Sequence, residues 1–176
     1  TRLGADLPKQ YLTLAGRSML EWSVQPFLID AACRGLVVAL APDDAHWSQV
    51  RSRLQRVPIE AVGGAERADS VRSALQRLQA SGVGADEWVL VHDAARPFAT
   101  EHLYRSVIAA VVSGADGSVP GLPVVDTVKV IEVAHSSVVD AVVPHVVSTP
   151  DRATLIAVQT PQAFRAEILR RAYIPE

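Results

Sequence analysis

The chain has 176 residues, a formal net charge of −2, 49% hydrophobic and only 5% aromatic residues, and one cysteine. This length suits a single domain with a sizeable aliphatic core, and the near-balanced charge excludes a global field that would draw the chain to nucleic acid or a membrane surface. No apolar run approaches the length of a membrane-spanning helix, and Cys33 has no internal disulfide partner, which suits a reducing, cytoplasmic setting as well as a disulfide-free secreted one.

The opening, Thr1-Arg2-Leu3-Gly4, reads like the middle of a loop, so residues before Thr1 are expected. Pro8 holds Leu7 out of the helical region and presents Lys9 and Gln10 from an extended segment. Arg2 and Lys9 are thus two cations on one short loop, a pattern that ordinary solvated charges also make. Tyr11 to Leu14 reads as a short strand or turn ending at Gly16. Ser18 with Glu21 three residues on has the form of a capping box, opening a helix with Leu20, Val24 and Leu28 on one face. Residues 35–41 form a strand of the buried kind. Pro42-Asp43-Asp44 ends it and starts a helix carrying Trp47, Val50 and Leu54, and residues 57–62 form a second strand.

Next come Gly63-Gly64-Ala65-Glu66-Arg67-Ala68-Asp69-Ser70 and a helix with Val71, Leu75 and Leu78 on one face. A strand, a glycine pair, a polar loop and a helix start aim backbone N–H groups and the helix dipole at one point, where Arg67 and Ser70 add donors. A plain turn with Asp69 or Ser70 as N-cap has the same local sequence. Residues 88–93 read as a strand covered on both faces that stops on an acid, followed by Ala94-Ala95-Arg96-Pro97. Ligands of open α/β sheets sit beyond the carboxyl ends of strands, where a carboxylate is able to hold Mg²⁺ and a guanidinium suits phosphate. Asp93 capping a turn, with Arg96 paired to it on the surface, is the plainer reading of the same residues.

A helix is expected from about Thr100 to Ser113, and residues 118–122 return the chain to the sheet. The alternation of strands and helices predicts an α/β fold with a mainly parallel, Rossmann-like sheet. Residues 123–131 and 138–147 are valine-rich β segments with little helix between them. They predict an arm over about 125–152 that projects from the single domain, exposes apolar surface and packs on a partner. Residues 155–158 are apolar, residues 159–164 read as a turn, and a last helix runs from Arg165 to about Tyr173. No Gly-x-Gly-x-x-Gly follows a strand, which argues against a dinucleotide dehydrogenase.

Six pieces, in order and suitably spaced, carry a resemblance. They are Pro8-Lys9-Gln10-Tyr11, Gly63-Gly64 with Glu66 to Val71, Val91 to Pro97, Asp126-Thr127-Val128-Lys129, Asp151-Arg152, and Gln159 to Phe164. Together they resemble the 2-C-methyl-D-erythritol 4-phosphate cytidylyltransferases of the non-mevalonate isoprenoid pathway, across nearly the whole chain. The resemblance implies a nucleotidyltransferase-type α/β fold and transfer of a cytidylyl group from CTP to methylerythritol phosphate with release of pyrophosphate. It implies that Arg2 and Lys9 stabilise the pentacoordinate α-phosphate and that Asp93 binds Mg²⁺. Gly64, Ala65, Arg67 and Ser70 then hold the cytosine and nearby parts of CTP, with Ala94 near the ribose. Thr127 and Arg152 on the arm position the acceptor, Arg96 is linked to that substrate as well, and the arm serves the partner's site in a homodimer. His92 has no assigned chemistry and reads as orienting the strand end. A first strand with a Gly-rich phosphate loop is expected before Thr1, and a closing segment after Ile174. Two other readings stay open: a cytidylyltransferase for another polyol phosphate such as ribitol 5-phosphate, and an inactive nucleotide-binding fragment, motivated by the phosphate loop that is not in this sequence.

Overall fold

A computed structural model describes residues 7–136 and 141–173, with side chains through 133 and from 144 in the arm. The chain divides into two compact units, one built from residues up to Val119 and from Thr160 onward, the other from Pro120–Gln159. Among the described residues no helix is long and apolar enough to cross a membrane.

The first unit opens with a 3-10 turn, Lys9–Tyr11, whose last residue is buried. A minimal hairpin follows, with β1 (Thr13–Leu14) antiparallel to β2 (Arg17–Ser18). Its two-residue turn places Ala15 and Gly16 at φ of 48° and 82°, the left-handed geometry whose twist matches paired strands. Helix α1 (Met19–Ile29) starts as expected: the Ser18 hydroxyl accepts from the Glu21 N–H at 3.2 Å, and the Glu21 carboxylate accepts from the Ser18 N–H at 2.7 Å. Leu20, Val24 and Leu28 are buried on one face. Strand β3 (Val37–Leu40) and strand β4 (Ile59–Val62) form a parallel pair, and the short helix α2 (Trp47–Arg51) lies between them in sequence. Helix α2 ends before Leu54, which nevertheless packs on the core formed by Tyr11, Leu20, Val24, Leu28, Val38, Trp47 and Val50. Each large aliphatic side chain withdrawn from water there contributes on the order of 1.5–3 kcal/mol.

Helix α3 (Arg67–Ala80) begins earlier than a cap at Asp69 or Ser70 would allow. Asp69 and Ser70 lie inside its first turn, and the Asp69 carboxylate reaches back to accept from the Glu66 N–H at 3.3 Å. Strand β5 (Trp88–Val91) stops before His92 and Asp93. Val89 is buried, whereas Trp88 is 46% exposed, so the strand is covered on both faces only in part. Helix α4 (Glu101–Val112) is capped by Thr100, whose hydroxyl accepts from the Leu103 N–H at 3.2 Å. Strand β6 (Gly117–Ser118) then returns the chain to the sheet.

The second unit contains β7 (Gly121–Pro123), β8 (Val130–Ser136), β9 (Ala141–Ser148), a 3-10 turn at Arg152–Thr154, and β10 (Ile156–Val158). Strands β8 and β9 form an antiparallel hairpin with a register irregularity at Val130/Ile131, and β7 pairs antiparallel with β10. Val130, Ile131, Val133, Val146 and Val147 all expose apolar surface, as the valine-rich pattern predicts.

Back in the first unit, β11 (Gln162–Arg165) is a strand where the sequence suggests a turn, and α5 (Ala166–Tyr173) is the expected last helix. Strand β11 lies between β5 and β6 and runs antiparallel to both. The mainly parallel expectation therefore holds for β3 and β4, and β5 and β6 share a direction, but the sheet around β5 is mixed. Parallel neighbours need a long crossover, usually helical, and no helix stands directly before β11. Leu75, Val89, Ala166 and Leu169 form one core layer beside this sheet, and Val107, Val111 and Ala163 form another.

Candidate active site

The carboxyl ends of β4 and β5 in the first unit carry most of the residues singled out in the sequence. Beyond β5, Asp93 is gripped on both oxygens: Oδ1 accepts from Arg67 Nε at 3.1 Å and Oδ2 from Arg96 Nε at 2.9 Å. Two guanidinium groups around one carboxylate leave a local excess of positive charge. Burial by itself raises the Asp93 pKa, but the hydrogen bonds and charges of Arg96 and Arg67 outweigh it and hold the carboxyl below its ordinary value. The surface pairing of Asp93 with Arg96 is thus present, and Arg67, 26 positions away, joins it.

The backbone around Asp93 is fixed from behind. The His92 Nε2 lies 3.1 Å from the Arg96 carbonyl, which only accepts, so this nitrogen carries the proton. Nδ1 of the neutral ring then accepts from the Thr160 hydroxyl at 2.8 Å, and that oxygen accepts from the Asp93 N–H at 3.2 Å. Burial lowers the His92 pKa, in keeping with a neutral ring, and Phe27 packs edge-on against it at 5.6 Å. His92 therefore orients the strand end. The Ser23 hydroxyl, buried on α1, lies 2.8 Å from the Met19 carbonyl and 3.0 Å from the Ala94 carbonyl and shares its one proton between them, so it links α1 to the residue after Asp93. Sequence reasoning assigned no role to Ser23 or Thr160. The available signal for Ser23 was a hydroxyl on the apolar stripe of Leu20, Val24 and Phe27.

Beyond β4, the Gly63 N–H donates to the Leu40 carbonyl at 2.6 Å, continuing the parallel ladder. The Gly64 N–H donates to the Ser70 hydroxyl at 3.1 Å, folding the loop onto the first turn of α3. A Cβ at Gly64 would lie 2.1 Å from the Asp69 Cβ, so only glycine fits this close approach. Ala65 is exposed in the bend just before α3, and the Arg67 side chain is half exposed. Lys9 is exposed on its 3-10 turn, and Arg2 lies outside the described residues.

Thr127 and Arg152 belong to the second unit. Thr127 is exposed, and Arg152 Nη1 donates to the Val125 carbonyl at 2.8 Å, tying the 3-10 turn to the segment before β8. Lys129 Nζ donates to the Thr149 hydroxyl at 2.7 Å across the base of the hairpin.

Among the described residues no group of three or more His, Cys, Asp or Glu side chains converges on a metal position. A single strand-end carboxylate still fits Mg²⁺, which commonly takes one or two protein carboxylates and completes its shell with substrate phosphates and water. Each Asp93 oxygen keeps a lone pair beyond the one its guanidinium partner uses, so the carboxylate is able to take a metal ion beside Arg67 and Arg96.

The chain has counterparts among known proteins. The family model described as IspD, 2-C-methyl-D-erythritol 4-phosphate cytidylyltransferase, matches residues 1–175. The chain belongs to this family. A 2-C-methyl-D-erythritol 4-phosphate cytidylyltransferase of Pseudomonas entomophila is 43% identical, with 97% of this chain and 69% of the relative covered. Another, from Paraburkholderia phytofirmans, is 40% identical over 99% of this chain and 71% of the relative. Among solved structures, a 4-diphosphocytidyl-2C-methyl-D-erythritol synthase superposes with a TM-score of 0.78 at 30% identity, covering 96% of this chain and 75% of that one. The cytidylyltransferase of Thermus thermophilus gives 0.67 at 31% identity, covering 94% of this chain and 69% of its own. The α/β nucleotidyltransferase fold expected from the sequence is thus present in this family member.

Proposed function

We infer that this chain transfers the cytidylyl group of CTP to 2-C-methyl-D-erythritol 4-phosphate and releases pyrophosphate, a step of isoprenoid precursor synthesis. The observation that carries the reading in the structure is Asp93 between Arg67 and Arg96, beside the tight Gly63-Gly64 loop, in a chain of this family. The acceptor's phosphate oxygen attacks the α-phosphorus of CTP in line, a P–O bond forms, and the bond to the β-phosphate oxygen breaks. A phosphate monoester is already mostly dianionic near neutral pH, with a second pKa of about 6, so the attack needs no side-chain base. What it needs is positioning of two anions and stabilisation of charge as pyrophosphate leaves.

The residues divide that work. Lys9 and Arg2 face the negative charge that builds at the α-phosphate. Gly64, Ala65, Arg67 and Ser70 hold the cytosine end of CTP, and Ala94 lies beside the ribose with no bulk to obstruct it. Arg96 orients the acceptor phosphate, and Thr127 and Arg152 of the arm do the same in the site of a partner subunit. Asp93 holds Mg²⁺, which when bound neutralises phosphate charge. The exposed valines of the β8–β9 hairpin fit an arm that packs on a second copy of the chain, making a homodimer in which Thr127 and Arg152 serve the partner's site. Cys33 without a disulfide partner fits a cytoplasmic setting.

Pyrophosphate release from CTP, assayed with each acceptor in turn, tests the reaction. Release is expected with methylerythritol phosphate. Release with ribitol 5-phosphate alone would transfer the reading to the other polyol, and release with neither would leave a nucleotide-binding fragment.

A further inference from the structure

Lys9 sits on a turn too short to hold itself. Its own backbone bonds are two, from the Tyr11 N–H to the Pro8 carbonyl at 2.9 Å and from the Leu12 N–H to the Lys9 carbonyl at 3.2 Å. Such 3-10 bonds have poorer geometry than α-helical ones. The turn is anchored from outside, by the Leu12 carbonyl, which accepts from the Met19 N–H at 3.0 Å, and by Tyr11, which is 6% exposed and packs in the core with Leu20, Val24, Trp47 and Val50. Its ring lies 5.2 Å from that of His46, and its hydroxyl donates to Asp44 Oδ2 at 2.7 Å.

Asp44 is itself held firmly. Its Oδ1 accepts from the N–H groups of His46 and Trp47, each at 3.0 Å, at the start of α2. Its own N–H donates to the Ala41 carbonyl at 3.1 Å, which fixes the backbone, and the carboxylate cannot swing away without freeing the His46 and Trp47 N–H groups. Asp44 follows β3 on the carboxyl side, where the Leu40 carbonyl accepts from Gly63. One continuous set of contacts therefore runs from the Lys9 turn through Tyr11 and Asp44 to the strand end that adjoins the Gly63-Gly64 loop. Burial, reinforced by Asp44, raises the Tyr11 pKa, so the phenol stays a permanent donor.

We propose that Tyr11 and Asp44 are positioning residues for the reaction: their hydrogen bond holds the Lys9 turn in register with the nucleotide loop. The proposal rests on the role of Lys9 at the α-phosphate given above. Neither residue touches the reacting atoms. Their effect passes through where the Lys9 ammonium sits, and a misplacement of about 1 Å is able to cost up to roughly a hundredfold in rate.

Two variants separate the tether from mere stability. Tyr11→Phe keeps the ring in the core and removes only the donor. Asp44→Ser keeps a hydroxyl able to cap α2 but too short to reach Tyr11. Steady-state kinetics with CTP and methylerythritol phosphate are expected to show kcat reduced about tenfold in each, with KM for CTP changed less than about twofold, because a charge used mainly in the transition state has been displaced. Combined, the two changes are expected to cost no more than either alone. Placed in a Lys9→Ala background, Tyr11→Phe is expected to cause no further loss, which a general weakening of the fold would not reproduce. Wild-type kcat in Tyr11→Phe and Asp44→Ser, or an undiminished loss in the Lys9→Ala background, overturns the tether. Unchanged turnover in Lys9→Ala alone overturns the role of Lys9, and the positioning proposal with it.

Discussion

Asp93 meets the solvent with both its oxygens already engaged, by Arg67 on one side and Arg96 on the other. The two guanidinium charges oppose the Mg²⁺ proposed to bind there, whereas the phosphates of bound CTP supply negative charge that offsets them. Metal binding should therefore be weak without nucleotide and strengthen with it. In a Mn²⁺ titration followed by electron paramagnetic resonance, CTP is expected to tighten binding about tenfold or more, and Arg67→Ala to narrow that gap by removing one of the opposing charges. Equal affinity with and without CTP would contradict this electrostatic opposition. Lys9 belongs to the same scale. Lys9→Ala should lower turnover about a hundredfold or more, the size seen when one preorganised group facing transition-state charge is lost, with a much smaller change in CTP affinity measured by calorimetry.

At the scale of elements, the glycine loop and α3 are packed more tightly than a side chain allows. Gly64→Ala forces its Cβ onto Asp69, whose carboxylate ties both the Glu66 N–H and Arg72. Overpacking of this kind costs about 1–3 kcal/mol, so denaturant unfolding should show that loss alongside weakened CTP binding. Helix α4 is joined to the end of α1 by a different device. The Tyr104 hydroxyl donates to Asp30 at 2.8 Å, and burial, followed by that bond, pushes the Tyr104 pKa up to about 12. The unfolded phenol releases its proton near pH 10 while the folded one keeps it. This contribution to stability is complete below about pH 10 and is lost as pH rises toward 12. Unfolding midpoints measured from pH 8 to 11 should decline less steeply for Tyr104→Phe than for the wild-type chain.

At the scale of the whole molecule, the chain leaves the first unit after Val119 and re-enters it at Thr160. The excursion holds the exposed valines of the β8–β9 hairpin together with Thr127 and Arg152. With the arm acting in trans, as proposed, Lys9→Ala and Arg152→Ala are defects in different subunits' contributions to one site. Mixed dimers of the two variants, isolated with distinct tags, should recover activity at about half of their sites, while each parent dimer stays impaired. No recovery in the isolated mixed dimer would assign Arg152 to its own subunit.

Local pattern was enough to read most of the elements. Ser18 and Glu21 announced α1, the apolar runs announced β3 and β5, and the residues at the strand ends announced the chemistry, because capping and periodicity depend on neighbours within a few positions. The same pattern misread Gln162 to Arg165, whose strand character comes from lying between β5 and β6 rather than from its own sequence. It also left the support of the site unread. Ser23 reaches Ala94 across 71 positions, His92 reaches Thr160 across 68, Tyr11 reaches Asp44 across 33, and Arg67 reaches Asp93 across 26. The sequence by itself determined the family's motif residues and the strand ends that carry them. Only the tertiary structure decided which partners hold them, because strand order and register set contacts between residues that no local periodicity relates.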